Sequence, residues 1–302
     1  MTDENSMIRV SSAPINWGVH ELGPGFPDPD AMLDEVLGAG YAGCELGPLG
    51  YFGDTAGAVT GRFAPRGLAL VSAFVTADLA RPLADADAGR LGTVADFLKA
   101  GGCRVMILSD DITAERLAVA ARADTAPETW WDDAQWAQVP RTIAAVAEIA
   151  RARDLTLTVH PHLGTHLETP AEVGRLLDLL ADGVALLCLD TGHTLAGGSN
   201  PVDLLGRAGS GLAHLHAKDI DGAVLARLRS GELDYDGAVE AGLYADLGTG
   251  LVDWDGIKAG LDAALYTGWV VAEQDRSPTP DLAVAAGAHR RNRAFLRGLL
   301  GG

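Results

Sequence analysis

Histidines, carboxylates and a lysine recur through the second half of the chain at intervals that could build a metal-dependent active site. They sit in LTLTVHPH (155–162), VALLCLD (184–190), LAHLHAKDI (212–220) and GWVVAEQD (268–275). Each is a short apolar run that ends in polar residues able to bind a metal. Asp190, His216 and Glu273 stand on three successive runs. Two carboxylates and an imidazole form a mixed oxygen–nitrogen donor set, which suits manganese, cobalt, iron or zinc better than calcium. Mn²⁺ and Co²⁺ lead the expectation, with Mg²⁺, Zn²⁺ and Fe²⁺ as alternatives. A fourth donor comes from Glu168 or from His160.

Alternation assigns faces. His214, His216 and Lys218 share one face of their strand, while Leu215 and Ala217 share the other. His216 lies nearer the polar end and takes the ligand role; His214 takes a packed, hydrogen-bonded one. Lys218, one step further, suits a substrate oxygen, or else an ion pair with Asp219 or Asp221. His160 and His162 also share a face, and His166 follows closely. Three nearby imidazoles among eight histidines point to proton transfer or metal binding, although His166 also reads as a solvated loop residue. Early in the chain, Asn16 and Glu45 could hydrogen-bond hydroxyls. Trp17 offers a flat wall for a sugar-like ring, or a core tryptophan. Trp130, Trp131 and Trp136 read as packing or as a subunit contact, which leaves a homo-oligomer open.

These residues need a scaffold that gathers strand ends. Strands are expected at residues 8–17, 43–47, 69–75, 104–110, 155–162, 184–190, 212–220 and 268–275. Helical patterns follow at 29–40, up to about 65, 85–100, up to about 153, 170–181, 202–207, 253–265 and 282–300. Thr169, Pro170 and Glu172 mark one helix start as cap, first-turn proline and first-turn carboxylate. Eight strand–helix units in 302 residues predict an α/β fold, a single (β/α)8 TIM barrel over residues 8–302 after a disordered tail of residues 1–7. A doubly wound sheet usually shows a glycine-rich phosphate turn after its first strand. Here that strand ends in NWG. In a barrel, chemistry gathers at the C-terminal strand ends, where the polar residues of strands five to eight fall. The long connection 221–252, rich in glycine, is expected to cover the active site.

Composition narrows the partners. With 23 Lys and Arg against 41 Asp and Glu, the net charge is −18. Nucleic-acid backbones need clustered positive charge, so no nucleic-acid partner is expected. The polar start MTDENSM and the lack of a long apolar run predict no signal peptide, no membrane partner and a cytoplasmic protein. Cys44, Cys103 and Cys188 are too few and too scattered for a zinc motif or a disulfide framework, and read as free buried thiols.

Seven segments together resemble the sugar phosphate isomerase/epimerase superfamily, the xylose-isomerase-like barrels, and within it the inosose dehydratases, which act on 2-keto-myo-inositol. They are APINWG (13–18), CELG (44–47), HPHLGT (160–165), CLDTGH (188–193), HLHAKDI (214–220), LGTGLVDW (247–254) and GWVVAEQD (268–275). The resemblance implies a divalent metal held by Asp190, His216 and Glu273 with a strand-five carboxylate, and a substrate contact at His193. The epimerases carry a glutamate within strand five, where this chain has His160-Pro161-His162. Glu168 is the only carboxylate nearby. Losing that glutamate removes one of the two bases that epimerases use on opposite faces of the substrate. An imidazole of near-neutral pKa can instead protonate a leaving hydroxyl. The expected reaction is loss of water beta to a ketone in a small cyclic polyol. Glu273 or a histidine takes the alpha proton, and His160 or His162 assists the departing hydroxyl. Isomerisation or epimerisation of a keto sugar is the first alternative. A non-catalytic barrel that supports a partner chain is the second.

Overall fold

The computed structural model describes residues 8–23, 25–279 and 281–301. The expected tail, residues 1–7, lies outside them. The strands are β1 (Arg9–Ser12), β2 (Gly43–Cys44), β3 (Ala69–Leu70), β4 (Phe74–Ala77), β5 (Val105–Asp110), β6 (Thr156–Val159), β7 (Leu186–Asp190), β8 (Leu212–Ala217), β9 (Asp219–Ile220), β10 (Tyr244–Ala245) and β11 (Trp269–Ala272). Nine of them form one parallel sheet in the order β3-β2-β1-β11-β8-β7-β6-β5-β4.

The two ends of that order, β3 and β4, are consecutive pieces of the third predicted strand. Residues Val71, Ser72 and Ala73 join them. Val71 N donates to Cys44 O (3.1 Å), Leu46 N to Ser72 O (2.9 Å) and Ile107 N to Ala73 O (2.9 Å). The third strand therefore pairs with its predecessor through its first half and with its successor through its second. The curled sheet thus has eight strand positions, as expected of a TIM barrel.

Helices Pro29–Gly38, Ala56–Phe63, Asp85–Ala100, Asp133–Arg151, Pro170–Leu180, Pro201–Ala208, Trp254–Ala263 and Leu282–Leu300 follow the eight positions in turn. The cap signals act as predicted at Pro170–Leu180: Thr169 Oγ1 accepts from Glu172 N (3.3 Å), and Glu172 Oε2 accepts from Thr169 N (2.8 Å). Strand residues that face the helices, such as Leu215, Leu189, Val159 and Ala272, are fully buried in one extended core with the apolar helix faces. That burial, at about 25 cal/mol per Å² of apolar surface, is the main drive that holds the ring of helices on the sheet.

The connection 221–252 is more structured than a loop. It holds the helices Gly222–Arg229 and Tyr235–Glu240 and ends in β10, which pairs antiparallel with β9. Its Leu225, Leu228, Ala238 and Leu243 pack in a small second core with Ala121, Leu163, Ala196 and Ile220 of the barrel body. Its return is fixed by one carboxylate. Asp219 Oδ2 accepts from Gly248 N (2.8 Å), Gly250 N (3.0 Å) and Trp254 Nε1 (2.9 Å). Asp219 Oδ1 accepts from Ile220 N (2.9 Å) and Val252 N (3.0 Å). A Cβ on residue 250 would stand 2.3 Å from Asp219 Oδ1, so glycine there is a requirement of close approach. Among the described residues, no helix is long and apolar enough to cross a membrane.

Candidate active site

Parallel strands that end together bring side chains from distant sequence to one opening. Glu45, just past β2, is buried with its Oε1 2.5 Å from Ser72 Oγ, 3.1 Å from His216 Nε2 and 3.3 Å from His214 Nε2. His214 is thus a packed, hydrogen-bonded histidine, as its depth on the strand suggests. Burial opposes the charge on Glu45, but His216 and His214 hold its carboxyl well below the usual range.

The other face of His216 meets the metal-type donors. Its Nδ1 lies 3.0 Å from Glu273 Oε2, 3.2 Å from His160 Nε2 and 3.8 Å from Asp190 Oδ2. His160 Nε2 is 3.5 Å from the same Asp190 oxygen. Donor atoms of Asp190, His216 and Glu273 all lie within 4.8 Å of one another. Asp190 divides its carboxylate between two tasks. Oδ1 caps the helix Thr191–Ala196 by accepting from His193 N (2.8 Å), while Oδ2 is buried without a hydrogen-bond partner. A buried carboxylate oxygen without a hydrogen bond, facing two imidazoles, a second carboxylate and, at 3.3 Å, the Lys218 ammonium, is a group that a divalent cation would satisfy. The charge balance agrees. Asp190, Glu273 and Asp275 crowd around one lysine, so an added divalent charge fits the donor set.

Lys218 is that lysine. Its Nζ lies 3.0 Å from Glu273 Oε2, 3.0 Å from Asp275 Oδ1, 3.3 Å from Asp190 Oδ2 and 3.0 Å from His193 Nε2. Burial works against its charge, yet Asp190, Asp275 and Glu273 hold its pKa well above the ordinary value. Burial pushes Asp275 up to about 6. The ion pair with Asp219 or Asp221 is therefore not the one that forms. Asp275, two residues after Glu273, takes the ion-pairing place that the sequence reading offered to Asp219 or Asp221.

His162 stacks on His193 with centroids 3.6 Å apart. Its Nδ1 lies 2.6 Å from Leu163 O, and a carbonyl only accepts, so the ring proton sits on Nδ1. The neutral ring then carries its lone pair on Nε2. Burial, with His160 and Lys218 nearby, holds the His162 pKa well below 6.5 and the ring neutral. Tyr244, with its hydroxyl 2.9 Å from Tyr235, closes this side and lies 3.3 Å from His193 Nδ1.

A cavity of about 1100 Å³ opens over these groups. Glu45, His160, His162, His216, Lys218, Glu273 and Asp275 line it, together with Tyr235, Asp236, Val239 and Glu240 from the long connection. Other expected site residues lie elsewhere. Asn16 is consumed inside the wall: Nδ2 donates to Ala272 O (2.8 Å) and Oδ1 accepts from Gln274 N (2.6 Å). Trp17 is fully buried and stacks on His289 at 4.2 Å, so it is a core tryptophan and not a sugar wall. His193 is buried and touches Lys218 (Nε2–Nζ 3.0 Å) and the His162 ring.

Glu168 is a correction to the expected ligand set. Its Oε2 accepts from Gly164 N (2.8 Å) and its Oε1 from Ala121 N (2.8 Å), so both oxygens already serve backbone amides that tie two loops together. Among the described residues it joins no convergent donor group. His160 is the strand-five side chain that faces the cluster, its Nε2 3.5 Å from Asp190 Oδ2 and 3.2 Å from His216 Nδ1. His166, the solvated-loop candidate, accepts the same kind of structural duty: its ring pairs with Asp110 Oδ2 (3.0 Å) and stacks on Trp131 at 4.6 Å. Trp131 and Trp136 pack edge to face in the core, while Trp130 is about half exposed.

Comparison with known proteins matches this geometry to a family. The profile described as "Xylose isomerase-like TIM barrel" matches residues 33–297. An inosose dehydratase of Geobacillus kaustophilus is 28% identical over 275 residues, covering 90% of this chain and 88% of the relative. The rhizopine catabolism protein MocC of Rhizobium meliloti is 31% identical over 274 residues, covering 90% and 82%. Among solved structures, the IOLI protein with a bound zinc atom superposes with a TM-score of 0.72 at 13% identity, over 97% of this chain and 98% of that one. At that identity the likeness concerns the fold alone.

Proposed function

The chain belongs to the xylose isomerase-like TIM barrel family, and from that premise we propose that it is a metal-dependent dehydratase that removes water beta to the ketone of an inosose-like cyclic polyol. One observation carries the reading: donor atoms of Asp190, His216 and Glu273 lie within 4.8 Å of one another, His160 Nε2 stands 3.5 Å from Asp190 Oδ2 and 3.2 Å from His216 Nδ1, and the His162 ring lies 5.6 Å from that of His160. The similarity to inosose dehydratases supports the substrate class.

His160, Asp190, His216 and Glu273 would hold the divalent ion, which when bound supplies a Lewis acid for the ketone oxygen. Glu45 accepts from His216 Nε2 and fixes that ring. Glu273, held ionised by His216 and Lys218 despite burial, is committed to ligation. His162 Nε2 takes the proton alpha to the ketone. The C–H electron pair moves toward the carbonyl oxygen, and the Lys218 ammonium stabilises the charge that develops there. His162 then returns its proton to the beta hydroxyl. The enolate pair returns to form the Cα=Cβ bond as the C–O bond breaks and its electrons leave with water, so the same imidazole serves as base and as acid. An epimerase would need a second carboxylate base at the strand-five position, and His160 stands there.

The test is incubation of metal-loaded protein with a panel of inososes and ketoses in D₂O. A product lighter by one water, with recovered substrate of unchanged configuration, is expected. Epimerised, deuterium-labelled substrate without loss of water would replace the dehydratase by the epimerase.

A further inference from the structure

Cys188 has no part in the chemistry above, yet it sits against it. It lies two residues before Asp190 on β7 and so shares the inward face. The thiol is fully buried. One side packs on Val105, Ile107 and Phe74. On its other side, its sulfur and one nitrogen each of His160 and His216 lie within 4.8 Å of one another. The other two thiols have no such company; Cys103, for example, donates to Val71 O at 2.7 Å.

The geometry points to a second metal position, made by Cys188, His160 and His216, that selects soft divalent ions such as Zn²⁺ or Cd²⁺. It shares both imidazoles with the position proposed for the catalytic ion. Two ions therefore compete for one pair of nitrogens: a hard ion is drawn to the carboxylates of Asp190 and Glu273, a soft one to the thiolate. His160 Nδ1, buried without a partner, leaves that ring unanchored from behind and able to turn between them. On binding, the S–H bond breaks, the sulfur–metal bond forms and the proton leaves to solvent through the cavity that His160 and His216 line. The position makes the enzyme selective for hard metals in use and open to soft metals as inhibitors.

The test uses the full-length, chelator-stripped protein titrated with CdCl₂, read by the ultraviolet charge-transfer band of a cadmium–thiolate bond, with Mn²⁺ binding followed in parallel by electron paramagnetic resonance. One equivalent of Cd²⁺ is expected to raise the band in the wild type and in Cys103→Ser. Cys188→Ala should abolish it, weaken Zn²⁺ by about 10-fold or more and leave Mn²⁺ affinity unchanged. Cys188→Ser serves if the alanine variant does not fold. A missing band in the wild type, a band that survives in both Cys188 variants, or equal losses of Zn²⁺ and Mn²⁺ affinity would each overturn the proposal. A cadmium band in a protein that binds no Mn²⁺ would overturn the carboxylate position and leave the thiolate position standing.

Discussion

His289 makes acid stability a direct test of what Trp17 is for. The imidazole is buried on the long final helix, stacked on Trp17 at 4.2 Å and 12°, with Tyr41 edge-on at 5.9 Å. Burial, with Arg276 and Arg290 adding repulsion, holds its pKa down at about 3, against 6.5 for a free histidine. A depressed folded-state pKa means that the unfolded chain takes up the proton first as pH falls. The stability from a neutral His289 is complete above pH 6.5 and is lost between 6.5 and about 3. At pH 5 the unfolded ring is almost wholly protonated and the folded ring is not, a differential of about 2 kcal/mol relative to pH 7.5. His289→Gln cannot titrate, and His289→Phe keeps the stack. Urea unfolding of the three proteins at both pH values, followed by tryptophan fluorescence, should show the wild type losing about 2 kcal/mol more than either variant. Equal losses in all three would refute the reasoning, because the ring would then reach water or a proton acceptor in the folded state.

Other outcomes concern the site. Chelation should abolish activity and Mn²⁺ or Co²⁺ restore it, with His160→Ala, Asp190→Ala and His216→Ala each losing metal by elemental analysis; Glu168→Gln should keep it. A metal-free Glu168→Gln would return that carboxylate to the ligand set. His162→Ala should keep its metal while the dehydration rate falls by roughly 10²–10⁴, the scale of a lost general acid–base group; an unchanged rate would reassign the proton transfer. Residues 221–252 should exchange amide hydrogen more slowly once an inosose is bound, and identical exchange with and without it would deny them a covering role.

The barrel and most of the floor were legible because strand periodicity is a strong signal and because four successive runs end in ligand types. Position alone picked out Asp190, His216, Glu273 and Lys218, which the structure brings together. Glu168 was misplaced because sequence shows a carboxylate near a strand end but not the Gly164 and Ala121 amides that occupy it. Trp17 was ambiguous because its partner, His289, is 272 residues away by number and meets it only through the closure of the barrel. Cys188 and Asp275 were within reach. Each stands two residues from a ligand on the same strand face, and the alternation applied to His214 and His216 would have picked them out. The break in the third strand was not legible, since ALVSAFV reads as one continuous run whichever neighbours it pairs with.

The five donors gathered on Asp219 have a consequence for how such an enzyme could diversify. That residue belongs to the barrel wall, next to Lys218, and it pins the chain again at 248–254. Everything between, residues 222–243, leaves and returns through that clamp and packs its apolar side chains against Ala121, Leu163 and Ala196 of the barrel body. The same stretch supplies Tyr235, Asp236, Val239 and Glu240 to the cavity but no donor to the metal-type cluster. It is expected to behave as an exchangeable cassette where a graft keeps the residues that meet Ala121, Leu163 and Ala196. Its length and lining can drift, or be grafted from a relative, while the ligand geometry beneath is held by a different set of bonds. A graft that alters which polyol is turned over but not how tightly Mn²⁺ binds would display that independence, and one that costs metal affinity would show the two parts to be a single unit.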